Sequence, residues 1–264
     1  MSNESSSDGA EAEEKDPTAR LTKDRTDRLT RAARDRTFAN LRPRDSATLI
    51  LVDRSESVPK VLLGRRHQSH KFLPGKFVFP GGRAEKTDRL MPTVAPLHAS
   101  DIERLMRRVQ KPSAVKAAAL ALAAIRETYE ETGLMLGTRA NSAVAAPSGA
   151  WQAFADAGVI PDLSAVHFIA RAITPPGRPR RFDSRFFTAD ISTVAHHADG
   201  VVGPDSELVE LVWMPITEAR RLDIPTITAV ALEELQERIA TGMSHNHPVP
   251  FYRMVRNRFV RQDL

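Results

Sequence analysis

Glu127, Glu130 and Glu131 are spaced i, i+3, i+4, which on a helix puts three carboxylates on one face. Their segment, Arg126 to Leu134, closes an Ala/Leu-rich run that begins near Ser113. Ala and Leu are strong helix formers, and Gly133 stands where left-handed backbone would end the helix. Like charges at this spacing cost roughly 0.2–0.5 kcal/mol per pair, and the last turns of a helix favour cations instead. A divalent cation would turn the repulsion into shared attraction, since carboxylate oxygens are the ligands that Mg²⁺ and Mn²⁺ accept. A solvated acidic helix end is the other reading of these residues alone. Ala118, Ala121, Leu122, Ile125 and Tyr129 form the expected core stripe on the opposite face.

The surrounding chain reads as strands and helices that could hold such a face. Residues 46–52 and 58–63 have the apolar, β-branched content of two strands joined by a polar turn. A basic loop, Arg65 to Lys71, follows. The short strand Phe77-Val78-Phe79 then runs into Pro80-Gly81-Gly82, a break that allows close backbone approach. Ile102, Leu105, Met106 and Val109 predict an amphipathic helix over 99–110, and Trp151 and Phe154 a short helix over 150–157. Further strands are expected at 166–173, 182–191 and 208–214, and further helices at 217–221 and 226–240. A Pro-stiffened basic loop lies at 174–181. Strands on both sides of a helix, with helices late, indicate an α+β or layered α/β/α domain.

At 264 residues the chain can bury a real core. Its Ser/Glu/Asp-rich start, residues 1–19, is expected to be disordered. Arg25, Arg28, Arg31, Arg34 and Arg36 then suggest a solvated helix or linker. A nucleic-acid arm would interleave aromatic residues for base stacking, and none are present there. The boundaries expected are a tail at 1–45, disordered or partly helical, a main folded domain at 46–245 and a C-terminal tail at 246–264. The start has no basic n-region or apolar h-region, no apolar run reaches membrane-spanning length, and the C-terminus is not a peroxisomal signal. The absence of cysteine excludes disulfides and thiol-ligated zinc and fits a cytoplasmic location. A net charge of +5 with pI about 9.8 suits ordinary solubility or attraction to a phosphorylated ligand. His67, His70, His196 and His197 lack a third ligand at matching spacing, so no histidine metal site is expected.

Pro80-Gly81-Gly82 together with Arg126-Glu127-x-x-Glu130-Glu131-x-Gly133-Leu134 resembles the Nudix box. Gly82 fits its first glycine, and Arg126 to Leu134 match every defined position of its second half. The spacing departs from the family pattern: Arg126 stands 30 residues beyond position 96, where a contiguous box would place it. The acid expected after five intervening residues from Gly82 falls on Asp88, with Glu85 as competitor. Leu62-Leu63-x-x-Arg66, Gly75 and Phe79 to Gly82 further resemble the upstream motif of the coenzyme A and acyl-coenzyme A diphosphatase branch, as do the split box and Arg181-Phe182-Asp183-x-Arg185-Phe186-Phe187.

The resemblance implies an α+β Nudix fold, an α/β/α sandwich with a mixed sheet, and an insertion at about 83–112. It implies a pyrophosphatase that uses Mg²⁺ or Mn²⁺. The best substrate match is coenzyme A or acyl-coenzyme A, cleaved to 3′,5′-ADP and a 4′-phosphopantetheine derivative. ADP-ribose, dinucleotides, capped RNA, or a nucleotide sensor without catalysis are the alternatives. Glu127, Glu130 and Glu131 would be metal ligands, with the carbonyl of Gly82 beside them. Arg126 would orient Glu130, and a base would come from the box glutamates, Glu207 or Glu210. Arg66, Lys71, Arg180 and Arg181 are the expected phosphate contacts, and Phe182 the expected stacking surface. The expected partner is a small nucleoside diphosphate derivative, not nucleic acid or membrane; a homodimer is left open.

Overall fold

The computed structural model describes residues 17–33, 37–70 and 72–264. Lys71, Arg34, Arg36 and residues 1–16 of the stretch expected to be disordered lie outside the described residues, while residues 17–19 of that stretch are helical. The described chain runs α1 (Pro17–Ala32), β1 (Arg44–Asp53), β2 (Lys60–Arg66), β3 (Phe77–Val78), β4 (Gly81–Arg83), a 3₁₀ turn (Asp88–Leu90), α2 (Ala99–Met106), α3 (Ala114–Thr132), β5 (Leu134–Leu136), β6 (Thr138–Arg139), α4 (Trp151–Asp156), β7 (Val159–Ile160), β8 (His167–Ile173), β9 (Phe182–Asp190), β10 (Val194–His197), β11 (Leu208–Pro215), α5 (Ile216–Ala219), α6 (Thr226–Ala240), β12 (Pro250–Val255) and β13 (Arg258–Asp263).

One mixed sheet, in the order β11-β2-β1-β9-β8-β12-β13, carries the domain. β1 runs parallel to β9 and β12 parallel to β8; the other pairs are antiparallel. β1 shows why the sheet has a layer on each face. Side chains alternate along a strand, and here both sets are apolar: Ala47, Leu49 and Leu51 enter one core with α3, while Ile50 and Val52 enter the other with α1 and α6. At its N-terminal end β1 leaves β2 and pairs instead with β4, Ala47 facing Gly82 and Thr48 facing Gly81. β2 meanwhile pairs with β3. The sheet is therefore split at this end, and the split lies beside the end of α3.

Several expectations need correction. α3 is buried on nearly every side, including Arg126 and Glu131, so its acidic turn is not a solvated end. α2 stops at Met106 because Arg107 is extended and Arg108 takes a positive φ of 53°; Arg171 then binds both carbonyls. The basic N-terminal stretch is a docked helix, not a solvated one. Arg25 is buried and pairs with Glu233, Glu234 and Glu237 of α6, while Arg28 pairs with Glu233. Residues 250–263, read from sequence as part of a tail, form a hairpin that extends the main sheet and buries Phe251, Tyr252 and Phe259. Among the described residues no helix is long and apolar enough to cross a membrane.

Candidate active site

Helix α3 begins at Ser113, whose hydroxyl accepts from the Lys116 N–H, and ends at Gly133 with φ 79°. That cap places the last two turns against β4. Arg126, only 3% exposed, sits at the centre of a fan of hydrogen bonds. Its Nε donates to Asp88 Oδ1 at 2.8 Å, and its Nη1 to Glu127 Oε1 at 2.9 Å and Glu130 Oε2 at 2.5 Å. Its Nη2 donates to the Arg83 carbonyl at 2.8 Å. Burial alone would lower the pKa of this guanidinium, but Asp88, Glu127 and Glu130 outweigh it and raise it.

Asp88, not Glu85, is the acid that completes the first half of the motif. Asp88 is fully buried, and it also accepts from Trp151 Nε1 at 3.1 Å and from the Glu85 backbone N–H at 2.6 Å. Glu85 is exposed. The Trp151 contact has no local sequence signal, because it depends on how α4 folds back over the 3₁₀ turn.

Glu131 is buried and accepts from the Gly81 N–H at 3.2 Å. Burial is the main force that pushes its pKa well above the usual carboxylate range, and Glu207 and Glu127 push it further. Glu127 is pushed up to about 7, chiefly by burial, with Glu130 and Glu207 adding to it against the pull of Arg126. Gly82 touches this carboxylate so closely that a Cβ at position 82 would collide with all of it. Glu207 faces the same space. It pairs with Arg66 Nη1 at 2.8 Å, and its own carbonyl accepts from the His67 N–H. Glu210 does not join them: it pairs with Arg65 Nε at 2.7 Å.

The remaining expected contacts divide. Arg66 reaches the Phe72 carbonyl at 3.0 Å, which links the carboxylates to the loop beyond. The Phe182 ring lies 5.9 Å from the Phe72 ring, and Arg180 stands over Phe72 at 5.9 Å. Arg181 instead ties its loop to the Thr174 and Leu41 carbonyls and to Asn40, so its donors are spent on structure. His196 accepts from Arg139, and His67 meets His70 edge to face.

The donor set fits a hard divalent cation. Glu127 and Glu131 are carboxylates buried with less positive charge than they carry negative, and all the nearby ligand atoms are oxygens. Among the described residues no three Asp, Glu or His side chains already stand at coordinating distance from one point.

No family model matches the chain. A NUDIX hydrolase from Alicyclobacillus acidocaldarius is similar over 73% of this chain and 90% of its own, with 26% identity and a TM-score of 0.57. The chain has the Nudix fold. The layered mixed sheet and the glycine-to-helix juxtaposition at Gly82 and Glu127 are this protein's form of that fold. Two more distant likenesses are the NUDIX domain of Shewanella oneidensis NrtR complexed with ADP ribose (12% identity, 75% of this chain and 90% of that one, TM-score 0.43) and RenU, a Nudix hydrolase from M. smegmatis (15% identity, 79% and 95%, TM-score 0.40). At those scores neither bears on the chemistry of this Nudix site.

Proposed function

We propose that this protein is a Nudix hydrolase that cleaves the diphosphate of coenzyme A or acyl-coenzyme A, with Mg²⁺ or Mn²⁺, to 3′,5′-ADP and a 4′-phosphopantetheine derivative. The observation that carries the reading is the burial of Glu127 and Glu131 against Gly81 and Gly82 with Glu207 beside them. Glu127, Glu130 and Glu131, with the Gly82 carbonyl, would hold the cation. The cation supplies neutralisation of the charge that develops on the leaving phosphate. Arg126 holds Glu127 and Glu130 in place and is itself fixed by Asp88.

A water adds to phosphorus, the P–O bond to the leaving phosphate breaks, and one proton must leave the water. The base would be a carboxylate of this cluster that the cation leaves free; of the two glutamates near β11, Glu207 is the one that faces it. Arg66 binds Glu207, the Phe72 carbonyl and His70, so it positions this wall of the site and Glu207 with it. The coenzyme A assignment draws on the segment from Leu62 to Gly82, which forms this wall of the site.

Purified full-length protein with Mg²⁺ should release 3′,5′-ADP from coenzyme A, measured by chromatography. Turnover of ADP-ribose without coenzyme A would defeat the substrate assignment. No turnover of any diphosphate with either cation would favour a sensing role.

A further inference from the structure

A guanidinium has five N–H donors, and on Arg126 all five are engaged: two on Asp88, one on the Arg83 carbonyl, and the two of Nη1 on Glu127 and Glu130. The group is a rigid plane, so whatever fixes one edge of it fixes what hangs from the other. The edge formed by Nε and Nη2 faces Asp88. The Asp88 oxygens accept two bonds from Arg126 and two from elsewhere. Of those two, the Glu85 N–H lies three residues back in the same turn and moves with it. The other is the indole Nε1 of Trp151, at 3.1 Å from Oδ1, 63 residues along the chain and beyond both halves of the split motif.

The surroundings of Trp151 hold it there. It opens α4, a six-residue helix that no side chain caps. A helix this short does not stand on its own propensity; packing of its aromatic residues keeps it in place. Trp151 and Phe154 are both fully buried, with ring centres 4.9 Å apart, and Phe154 meets Tyr129 of α3 edge to face at 5.4 Å. Beyond them the Arg139 guanidinium donates to the Ala157 carbonyl at 2.7 Å and the Ala140 N–H to the Gly158 carbonyl at 2.8 Å, which secures the far end of α4. Phenylalanine at position 151 would fill most of the same space. The indole adds a donor, and its acceptor is a buried carboxylate, to which a hydrogen bond is stronger than to a neutral group.

We propose that Trp151 is a positioning residue for the candidate metal site. Its indole N–H fixes the Asp88 carboxylate, Asp88 sets the plane of Arg126, and Arg126 sets where Glu127, Glu130 and the carbonyl of Arg83, next to Gly82, are held. The inference rests on the cation in the proposed function and not on its substrate. It makes the segment 137–160 part of the site's support, although none of the expected ligands comes from it.

The test measures cation binding on the full chain, by the loss of the free Mn²⁺ signal in electron paramagnetic resonance. Trp151→Phe should raise the Mn²⁺ dissociation constant about tenfold, the lower end of the range for residues that orient metal ligands. Phe168→Leu is the packing control, since Phe168 is equally buried in the same core but packs on Phe187. It should lower the melting temperature in chelator and leave the dissociation constant unchanged. An unchanged constant in folded Trp151→Phe, or an equal weakening in Phe168→Leu, overturns the inference and leaves the cation reading intact. No Mn²⁺ binding to the wild type overturns both. Should Trp151→Phe not fold, the wild type carries the test. The chain has two tryptophans, so Trp213→Phe identifies the Trp151 indole N–H signal in a ¹⁵N NMR spectrum. Saturating Mg²⁺ should shift that signal, because the indole and the ligands are joined through one guanidinium; a signal that does not move overturns the inference.

Discussion

Two buried arginines in this protein each meet three acids, and the two clusters behave in opposite ways. Arg25 of α1 meets Glu233, Glu234 and Glu237; Arg126 of α3 meets Asp88, Glu127 and Glu130. Around the first, Arg28 and Arg220 also reach Glu233 and Arg261 approaches Glu234, while Asp24 pairs with Arg28 and Asp263 with Arg261, so five acids meet four arginines. Around the second, among the described residues, Glu131 and Glu207 add to the acids and only Arg66 to the cations, so five acids meet two arginines. The consequences appear in the carboxylates. Burial would raise the pKa of Glu233, but Arg28 and Arg25 overcome it and hold it below the usual range. Burial raises Glu127 to about 7, and Arg126 does not overcome it. The same residue types build a clasp between elements where charge is nearly balanced, and a cation-seeking site where it is not.

The sharpest break between the clusters should come from removing one charge in each. Glu131→Gln should lower kcat/KM for the diphosphate substrate by roughly 10²–10⁴-fold, the scale of losing a group positioned for proton transfer or charge stabilisation. Glu233→Gln should leave kcat within about twofold, because its partners lie on α1 and α5–α6; steady-state assays decide it. Next, Arg25→Ala and Arg126→Ala should each cost about 3–5 kcal/mol in urea denaturation, the scale of leaving buried charge unpaired. Only Arg126→Ala should also abolish turnover in the folded fraction.

Mg²⁺ at a hundred times its dissociation constant should stabilise the wild type by about 2.7 kcal/mol. Thermal melts of Glu131→Gln should lose that gain, and melts of Glu233→Gln should keep it from a lower starting point. The smallest effect is on pH dependence, measured in chelator. The folded pKa of Glu127 lies above its unfolded value, so its contribution is fully present below about 4.5 and is lost as pH rises through about 7. Glu233 has a lowered folded pKa, so its contribution is present above the unfolded value and is lost as pH falls through the folded one. Glu127→Gln should therefore become less destabilising as pH rises from 4.5 to 8, whereas the cost of Glu233→Gln should stay level over that range and shrink only as pH falls below about 4.5. Parallel slopes for the two variants would remove the distinction.

What was legible in the sequence was local. The acidic turn of α3, its stop at Gly133, the turn at Pro80 to Gly82 and the α/β/α layering each depend on periodicity or on a few adjacent residues. The choice between Asp88 and Glu85 was not local, since it is made by a guanidinium 38 residues away. The clasp at Arg25 was hidden for the same reason: its partners lie more than 200 residues on, and a run of arginines at helical spacing looks alike whether solvated or paired. The terminal hairpin did carry a signal. Arg256 and Asn257 both take positive φ, 46° and 65°, the backbone of a two-residue hairpin turn, and Asn is among the residues that favour it. Flanking Phe251, Tyr252 and Phe259 complete that pattern.

The separation between the two halves of the site also sets how the protein assembles. Gly81 meets Glu131 across 50 residues of sequence, and Asp88 meets Arg126 across 38. Lengthening such a loop costs little at equilibrium, about 0.6 kcal/mol per doubling. Its weight falls on the rate, because contacts between distant residues must wait for the chain between them to be brought in. Here that chain includes α2, anchored to the sheet by Arg171. Helix α3 can form from its own residues, but its carboxylates meet the glycine turn only once the intervening chain has been closed into a loop, so the site should become native later than the helix itself.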